Sequence, residues 1–553
     1  MWDGILHAYV PHMIKLRSLF APMLLAALAV TSAVGCSSAD ANANDDDTSD
    51  DALTSLTARS RTLKFTGYVY VDANASDSMI LTAIRRQTQS AFGALRTSDI
   101  GVNSRELKDV DPSTFVKTKV TIVDPASPTV KTTMLRVVYT YTDSALVPTT
   151  MARISTLKMG VLNGYYQSQT DRILKECTDG GKEAHEFVSS IWYVFEPSQA
   201  TCKTAMSAEQ RIIDADKKKI PAGTLPKSEV ERLYIPLTAG LVAAKTNAAR
   251  SYPEYDRLFA GGVQKDKLVI GMVSGMMADW AAGEKHDDID DAGYEMWFEG
   301  IREIKNARPT MKVTQIEPAE DLTTYVVNGK TVKLAGGFED AIKIQLDGTG
   351  YPTGLTSYTD RHALEVEIGK KLVRHWVTLS TPVSVKIGSG AEHTVTIEVN
   401  TYFGAETDST PHKRAIKNSD VFVYNGHSYI GYGPLDPSRF TSSDFPASYQ
   451  ILFVNGCVSY NYYEKDYKPL KVGGTANLDL VSNGLESWVN GSGPAMGRFV
   501  GAIIDGKLSS YKDILAAAQF TGYGYEWGQD ALRVVDGELD NKWKPSVTPI
   551  TVK

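Results

Sequence analysis

Apolar and polar side chains alternate over residues 63–71, which predicts a half-buried strand, and 78–95 carries a helical repeat. Two β-rich stretches follow at 116–123 and 132–141, and 187–195 reads as a further strand, so 61–205 is expected to be an α+β domain. Residues 208–255 are rich in Ala, Lys and Glu, and the span 206–264 is expected to be a helical connector or bracing layer. From 267 the pattern changes. Leu268-Val269-Ile270-Gly271-Met272-Val273 is a short continuous apolar run, followed by a helical stretch at 291–304 and a strand at 311–316. Strand, helix, strand at this spacing predicts a parallel α/β unit that supplies the first two strands of a sheet. Residues 317–392 parse poorly, include a strand-like piece at 341–346, and read as an insertion. Regular patterning returns with strands at 395–402, 420–424 and 450–454 and a helix at 494–504. The expected fold class is therefore α/β, a mostly parallel sheet flanked by helices over 265–525, with 526–553 a C-terminal extension.

The N-terminus has a different character. Lys15 and Arg17 precede an apolar run over 19–30, and Ala33-Val34-Gly35-Cys36 follow. A basic stretch, a short apolar core and small residues before a cut form a secretory signal. The run is too short for a bilayer-spanning helix, which needs about 20 apolar residues. The residues ending in Cys36 resemble a bacterial lipobox, although Ala33 stands where Leu is commoner; the match makes 1–36 a signal with a lipidation cysteine. Met13 is an alternative start. Residues 37–60, with Asp45, Asp46, Asp47, Asp50 and Asp51, read as an acidic tether that cannot bury a core. The chain is thus expected to be exported and held at a membrane through lipid on Cys36. Ser37 rather than Asp after that cysteine favours the outer membrane, facing the periplasm or the cell surface.

Composition adds limits. Residues are 42% hydrophobic and 22% charged, which is ordinary for globular domains, and the net charge of -7 comes with no basic block. Nucleic acid is accordingly a poor partner. Cysteine arithmetic in an oxidising compartment pairs Cys177 with Cys202 across 25 residues and leaves Cys457 alone. An unpaired cysteine is more often a buried small hydrophobe than a nucleophile.

Two apolar strands end in the same punctuation: Val421-Phe422-Val423-Tyr424-Asn425-Gly426-His427-Ser428 and Ile451-Leu452-Phe453-Val454-Asn455-Gly456-Cys457. Functional groups of open parallel sheets gather beyond the carboxyl ends of the strands. If the two strands are neighbours, His427 and Cys457 emerge side by side, where an imidazole can take the proton of a thiol or stabilise the thiolate. Backbone N–H groups of Cys457, presented by Gly456, and of the turn at Ser428 would form an oxyanion hole. Here the sequence resembles the caspase-like clan of cysteine peptidases, which includes caspases, gingipains, clostripain and CHAT-domain proteases. In that clan one hydrophobic strand ends in His followed by Gly or Ser, and a later one ends in a small residue and Cys. The resemblance covers residues 415–505. It implies a caspase-like sheet, His427 as catalytic imidazole, Cys457 as nucleophile and a peptide or protein substrate. The caspase signature around the cysteine is absent, and Ser428 replaces the commoner Gly.

Other signals are weaker. Asp288, Asp290 and Glu299 fall at positions 1, 3 and 12 of a calcium loop with Gly293 at 6, but Ala292 breaks position 5, and an acidic first helical turn explains the run. His185-Glu186 lacks the second histidine of a zincin helix, and Gly271 to Gly275 lacks nucleophile-elbow spacing. Asn425, Asp436 and Asp444 are candidates to orient the imidazole or shape a specificity pocket, and Tyr460, Tyr462, Tyr463 and Tyr467 either line a groove or pack in the core. The expectation is a cysteine endopeptidase with a Cys457/His427 dyad that calls on no metal or organic cofactor. The alternative is an inactive caspase-like lipoprotein that serves as a binding scaffold in the cell envelope.

Overall fold

A short strand, β1 (Thr54–Ser55), precedes β2 (Ala58–Asp72), β3 (Gly101–Val102), β4 (Val116–Asp124), β5 (Ser127–Pro148), β6 (Thr156–Leu162), β7 (Leu225–Pro226) and β8 (Tyr234–Ala243). The computed structural model describes residues 53–244, 246–277, 288–405, 407–519 and 531–553; Cys36, the signal and 37–52 lie outside them, whereas 53–60, expected as the end of the acidic tether, forms β1 and the start of β2 with Leu53 and Ala58 buried, because the acidic run stops at Asp51. Strands β2 to β8 form a seven-stranded sheet in the order β6-β8-β2-β5-β4-β7, with β3 on β5. Its spine is the long antiparallel pairing of β2 with β5, from Ala58 opposite Pro148 to Asp72 opposite Met134. Helix Asp77–Arg96 starts where the Ser76 side chain accepts from the Met79 N–H, and buries Ile80, Ile84, Ala91 and Leu95.

Two expectations change in this domain. Residues 187–195 are not a strand but a 3-10 turn, Val188–Ser190, and a helical turn, Ile191–Val194. The apolar run correctly signals burial, and it is buried against the helix: a Cβ on Gly93 would lie inside 3.0 Å of the Phe195 carbonyl. The span 206–264 is not a helical connector: it holds the end of helix Ala200–Lys217 and two short helices, Lys227–Glu231 and Tyr255–Phe259, but Tyr234–Ala243 between them forms β8, which lies between β6 and β2. Ile235, Ala239 and Leu241 are buried there on a period of two that the surrounding helical composition masks. A disulfide joins Cys177 and Cys202, with Cα atoms 4.6 Å apart.

The remaining strands are β9 (Lys267–Gly275), β10 (Lys312–Glu317), β11 (Thr324–Val327), β12 (Lys330–Lys333), β13 (Trp376–Ile387), β14 (His393–Ala405), β15 (Val421–Asn425), β16 (Gln450–Asn455), β17 (Leu478–Asn483), β18 (Arg533–Asp536) and β19 (Ile550–Val552). A ten-stranded mixed sheet runs β1-β18-β17-β16-β15-β9-β14-β13-β10, with β19 also on β13. Its centre, β17, β16, β15, β9 and β14, is parallel, and both margins are antiparallel. Val421 and Val423 face a core with helices Ala292–Ala307 and Val489–Ile504, while Phe422 and Tyr424 face the core shared with the N-terminal domain. Burial on both faces is what makes these strands continuous apolar runs.

Strands β9 and β10 do not form an adjacent parallel pair. Strand β9 lies between β14 and β15, and β10 pairs antiparallel with β13 at the margin, where most of its side chains are exposed. Residues 341–346 are helical, Phe338–Ile342 continuing into a π-turn at Lys343–Asp347, with Phe338, Ala341, Ile342 and Ile344 buried. The stretch read as an insertion contributes the hairpin β11–β12 and helix Tyr358–Lys370, but also the sheet strand β13. Strands β18 and β19 bring 531–553, the described part of the stretch read as a C-terminal extension, into the large sheet.

Candidate functional site

Strands β15, β16 and β17 each end in Asn-Gly: Asn425-Gly426, Asn455-Gly456 and Asn483-Gly484. The parallel register sets Asn425 beside Asn455, and Val454 beside Ser482, so the three asparagines lie in a row. All three are buried. Asn455 Nδ2 donates to Asn425 Oδ1 at 2.9 Å, and Asn483 Nδ2 donates to Asn455 Oδ1 at 3.1 Å and to the Gly456 carbonyl at 3.2 Å. Arg533 closes the row, Nε donating to Asn483 Oδ1 at 3.0 Å and Nη2 to Asn455 Oδ1 at 2.9 Å. A satisfied buried network of this kind fixes geometry, and here it fixes the turns that carry His427 and Cys457 relative to one another.

The chain passes from β9 to β14 on one side and returns to β15 on the other, so the sheet switches direction between β9 and β15. Crevices at such points are where open sheets bind ligands. His427 lies at this switch point. Its Nε2 donates to the Met277 carbonyl, just past β9, at 3.0 Å, and its own carbonyl accepts from the Tyr424 hydroxyl at 2.9 Å. Burial lowers the pKa of the imidazole, against the pull of the Met277 carbonyl and the Asp291 carboxylate. Asp291 also accepts the Met277 N–H through both oxygens, at 3.0 and 2.9 Å, and so holds the residue that holds the imidazole.

Asp291 is the N-cap of helix Ala292–Ala307, with its carboxylate 2.6 Å from the Gly293 N–H. Positions 5 to 12 of the calcium-loop pattern are therefore helical, and the acidic run serves as a helix start. Among the described residues no group of three or more His, Cys, Asp or Glu is placed to hold a metal ion.

Cys457 is partly buried, and its thiol points to the Ser487 carbonyl at 3.5 Å. Burial pushes its pKa up to about 11, and the Glu486 carboxylate adds to the rise, so the thiol is protonated at neutral pH. The two turns nevertheless touch. A Cβ on Gly456 would fall inside 3.0 Å of Ser428 Oγ, and that hydroxyl is buried with no hydrogen-bond partner among the described residues. The Ser428 carbonyl accepts from the Tyr463 hydroxyl at 3.1 Å and from the Gly431 N–H at 2.7 Å. Tyr429, Ile430 and Val458, just beyond the two candidate residues, have φ near +50°: 50°, 51° and 51°. A left-handed conformation is costly for β-branched Ile430 and Val458, and such strain concentrates where surrounding structure dictates the backbone.

Asn425 belongs to the asparagine row, whereas Asp436 pairs with Arg105 at 3.1 Å and Asp444 caps its own turn and meets Lys413 at 3.3 Å. Tyr460, Tyr462, Tyr463 and Tyr467 are all buried, so they pack in the core and do not line a groove. A cavity of about 790 Å³ opens between the end of helix Ala292–Ala307, β10 and Phe338, and neither His427 nor Cys457 lines it. The residues that sequence reasoning missed are Asn455, Asn483, Arg533, Asp291 and Glu486. The Asn-Gly that ends a third apolar run at Asn483-Gly484, as at Asn425-Gly426 and Asn455-Gly456, is the signal by which the first two could have been found. No protein-family model matches the chain, and no curated protein or solved structure matches it.

Proposed function

We propose that the chain is a cysteine endopeptidase of caspase-like fold, exported as a lipoprotein, in which Cys457 is the nucleophile and His427 its acid–base partner. One observation carries the reading: β15 and β16 are parallel neighbours in register, and His427 and Cys457 follow at the same distance beyond that register. In the reaction the Cys457 sulfur bonds to the scissile carbonyl carbon as its proton passes to His427. The C–N bond then breaks, and the imidazolium gives that proton to the leaving amine. Water, deprotonated by His427, hydrolyses the thioacyl group and restores the thiol. In this reading the N–H of Cys457 and those of the Ser428 turn are assigned the role of stabilising the oxyanion. In the resting arrangement the thiol is turned to Ser487 and the imidazole to Met277, so both must reorient before a thiolate pair forms.

That resting arrangement also supports a second reading, a caspase-like scaffold that binds a partner and performs no chemistry. The two separate by iodoacetamide labelling of Cys457 across pH, with the modified site mapped by mass spectrometry, in the wild type and in His427→Ala. Under the peptidase reading labelling of the wild type saturates well below pH 11 and slows in the variant. Labelling at equal rates in both proteins leaves the scaffold.

A further inference from the structure

The loops after β15, β16 and β17 are each tied to one short piece of the N-terminal domain, residues 96–106. The loop after β17 is held by Arg96, the last residue of helix Asp77–Arg96, whose Nη1 meets Glu486 Oε1 at 2.5 Å. Glu486 directly precedes Ser487, the residue whose carbonyl takes the Cys457 thiol. The guanidinium stacks over the Tyr193 ring at 4.6 Å, and the Tyr193 hydroxyl reaches Glu486 at 3.4 Å. The turn after β16 is held by Asn461, whose Nδ2 donates to the carbonyls of Val102 and Ser104 at 3.1 and 2.6 Å while its Oδ1 accepts the Glu106 N–H at 3.1 Å. The loop after β15 is held by Arg105, which pairs with Asp436 at 3.1 Å and donates to the Gly431 carbonyl. Between these ties the backbones touch: a Cβ on Gly101 would stand 2.7 Å from the Gly484 carbonyl oxygen. An extended peptide cannot enter that contact while it is closed.

We propose that residues 96–106 form a built-in latch, which holds Cys457 against Ser487 and must lift from the β17 loop before the thiol can react. The proposal rests on the dyad reading for what the released thiol does, but the latch itself is defined by contacts alone. The Arg96–Glu486 pair is the place to test it, because both side chains lie at the domain boundary and neither acts on a substrate. In the full chain, Arg96→Glu replaces an attraction by a like-charge repulsion, and iodoacetamide labelling of Cys457 at neutral pH is expected to rise about tenfold. The exchange Arg96→Glu with Glu486→Arg restores the attraction and should return the rate towards that of the wild type, which a merely unfolded site would not do. Because Glu486 raises and Arg96 lowers the ionisation point of the thiol, each rate is first divided by the thiolate fraction read from that protein's pH profile; an unchanged corrected rate in Arg96→Glu overturns the latch, and so does a corrected rate that stays high in the exchanged pair. Adding His427→Ala to Arg96→Glu separates the two ideas. Fast labelling that ignores His427 keeps the latch and removes the dyad; labelling that depends on His427 but not on Arg96 keeps the dyad and removes the latch.

Discussion

Replacing Gly456 by Ala probes the contact between the two candidate turns directly. The new Cβ would fall inside 3.0 Å of Ser428 Oγ and 3.1 Å from the Gly426 carbonyl oxygen. The φ of Gly456 is not left-handed, so the backbone accepts Ala and the cost is steric. Overpacking of a buried site costs about 1–3 kcal/mol, and exchanging Gly for Ala returns about 0.4–1 kcal/mol through the unfolded chain. No hydrogen bond pins the Ser428 hydroxyl, so part of the clash relaxes by rotation about χ1, and the expected net loss is about 1 kcal/mol. Ser428→Ala removes a buried hydroxyl without a partner and should stabilise the fold by about 1 kcal/mol. In the double variant the nearest remaining atoms to the new Cβ are the Gly426 oxygen at 3.1 Å and Ser428 Cβ at 3.7 Å, the latter an ordinary contact. The pair should therefore couple favourably by about 1 kcal/mol, read from urea unfolding of the wild type, both single variants and the double variant. Free energies that add to within about 0.5 kcal/mol would refute the claim that Ser428 Oγ is what excludes a side chain at position 456.

Two further outcomes are expected. Asn455→Ala leaves Asn425 Oδ1 without the amide that donates to it, removes the acceptor of the Arg533 Nη2 bond and deprives Asn483 of one of its two acceptors, so it should cost about 2–4 kcal/mol; a loss below about 1 kcal/mol in the same unfolding assay would mean that the row is incidental. Asp479 is buried among Tyr449, Tyr511 and Asn541, and burial raises its carboxyl to about 7 despite their hydrogen bonds. Its unfolded counterpart ionises near 4, so the stability it contributes is fully present below about pH 4 and is lost as pH rises through about 7. Asp143 and Asp420, both raised to about 6 by burial, act with the same sign. Asp479→Asn should flatten the decline of the urea midpoint between about pH 4 and 7 without abolishing it, and parallel profiles for the two proteins would exclude the assignment.

The central strands were legible because burial on both faces writes itself as an unbroken apolar run, as in 268–273, 421–425 and 450–455. Their polar ends pointed to His427 and Cys457 for the same reason: an apolar run stops where the sheet edge begins. The margins were not legible. Strands β1, β18 and β19 have two, four and three residues, too few to carry a period, and they take their conformation from a neighbour already in place. Phe187 to Phe195 shows the opposite failure, since burial against a helix and burial in a sheet produce the same apolar residues. The state of the thiol was out of reach. It depends on Glu486 and on Arg96, which stand 390 residues apart in the chain, and no local window joins them.

The division of strands between the two sheets also sets an order in time. Every strand of the seven-stranded sheet lies between residues 58 and 243, so that sheet is complete while more than half of the chain is still to be synthesised. The large sheet cannot close until β18 and β19 have been made, and its first strand waits on a partner 478 residues later, where the Ser55 hydroxyl meets the Arg533 carbonyl. Domains formed from the N-terminal part of a chain fold first as it grows. On that order residues 96–106 take up their place ahead of the turn that carries Cys457, so the thiol meets an N-terminal domain that is already formed.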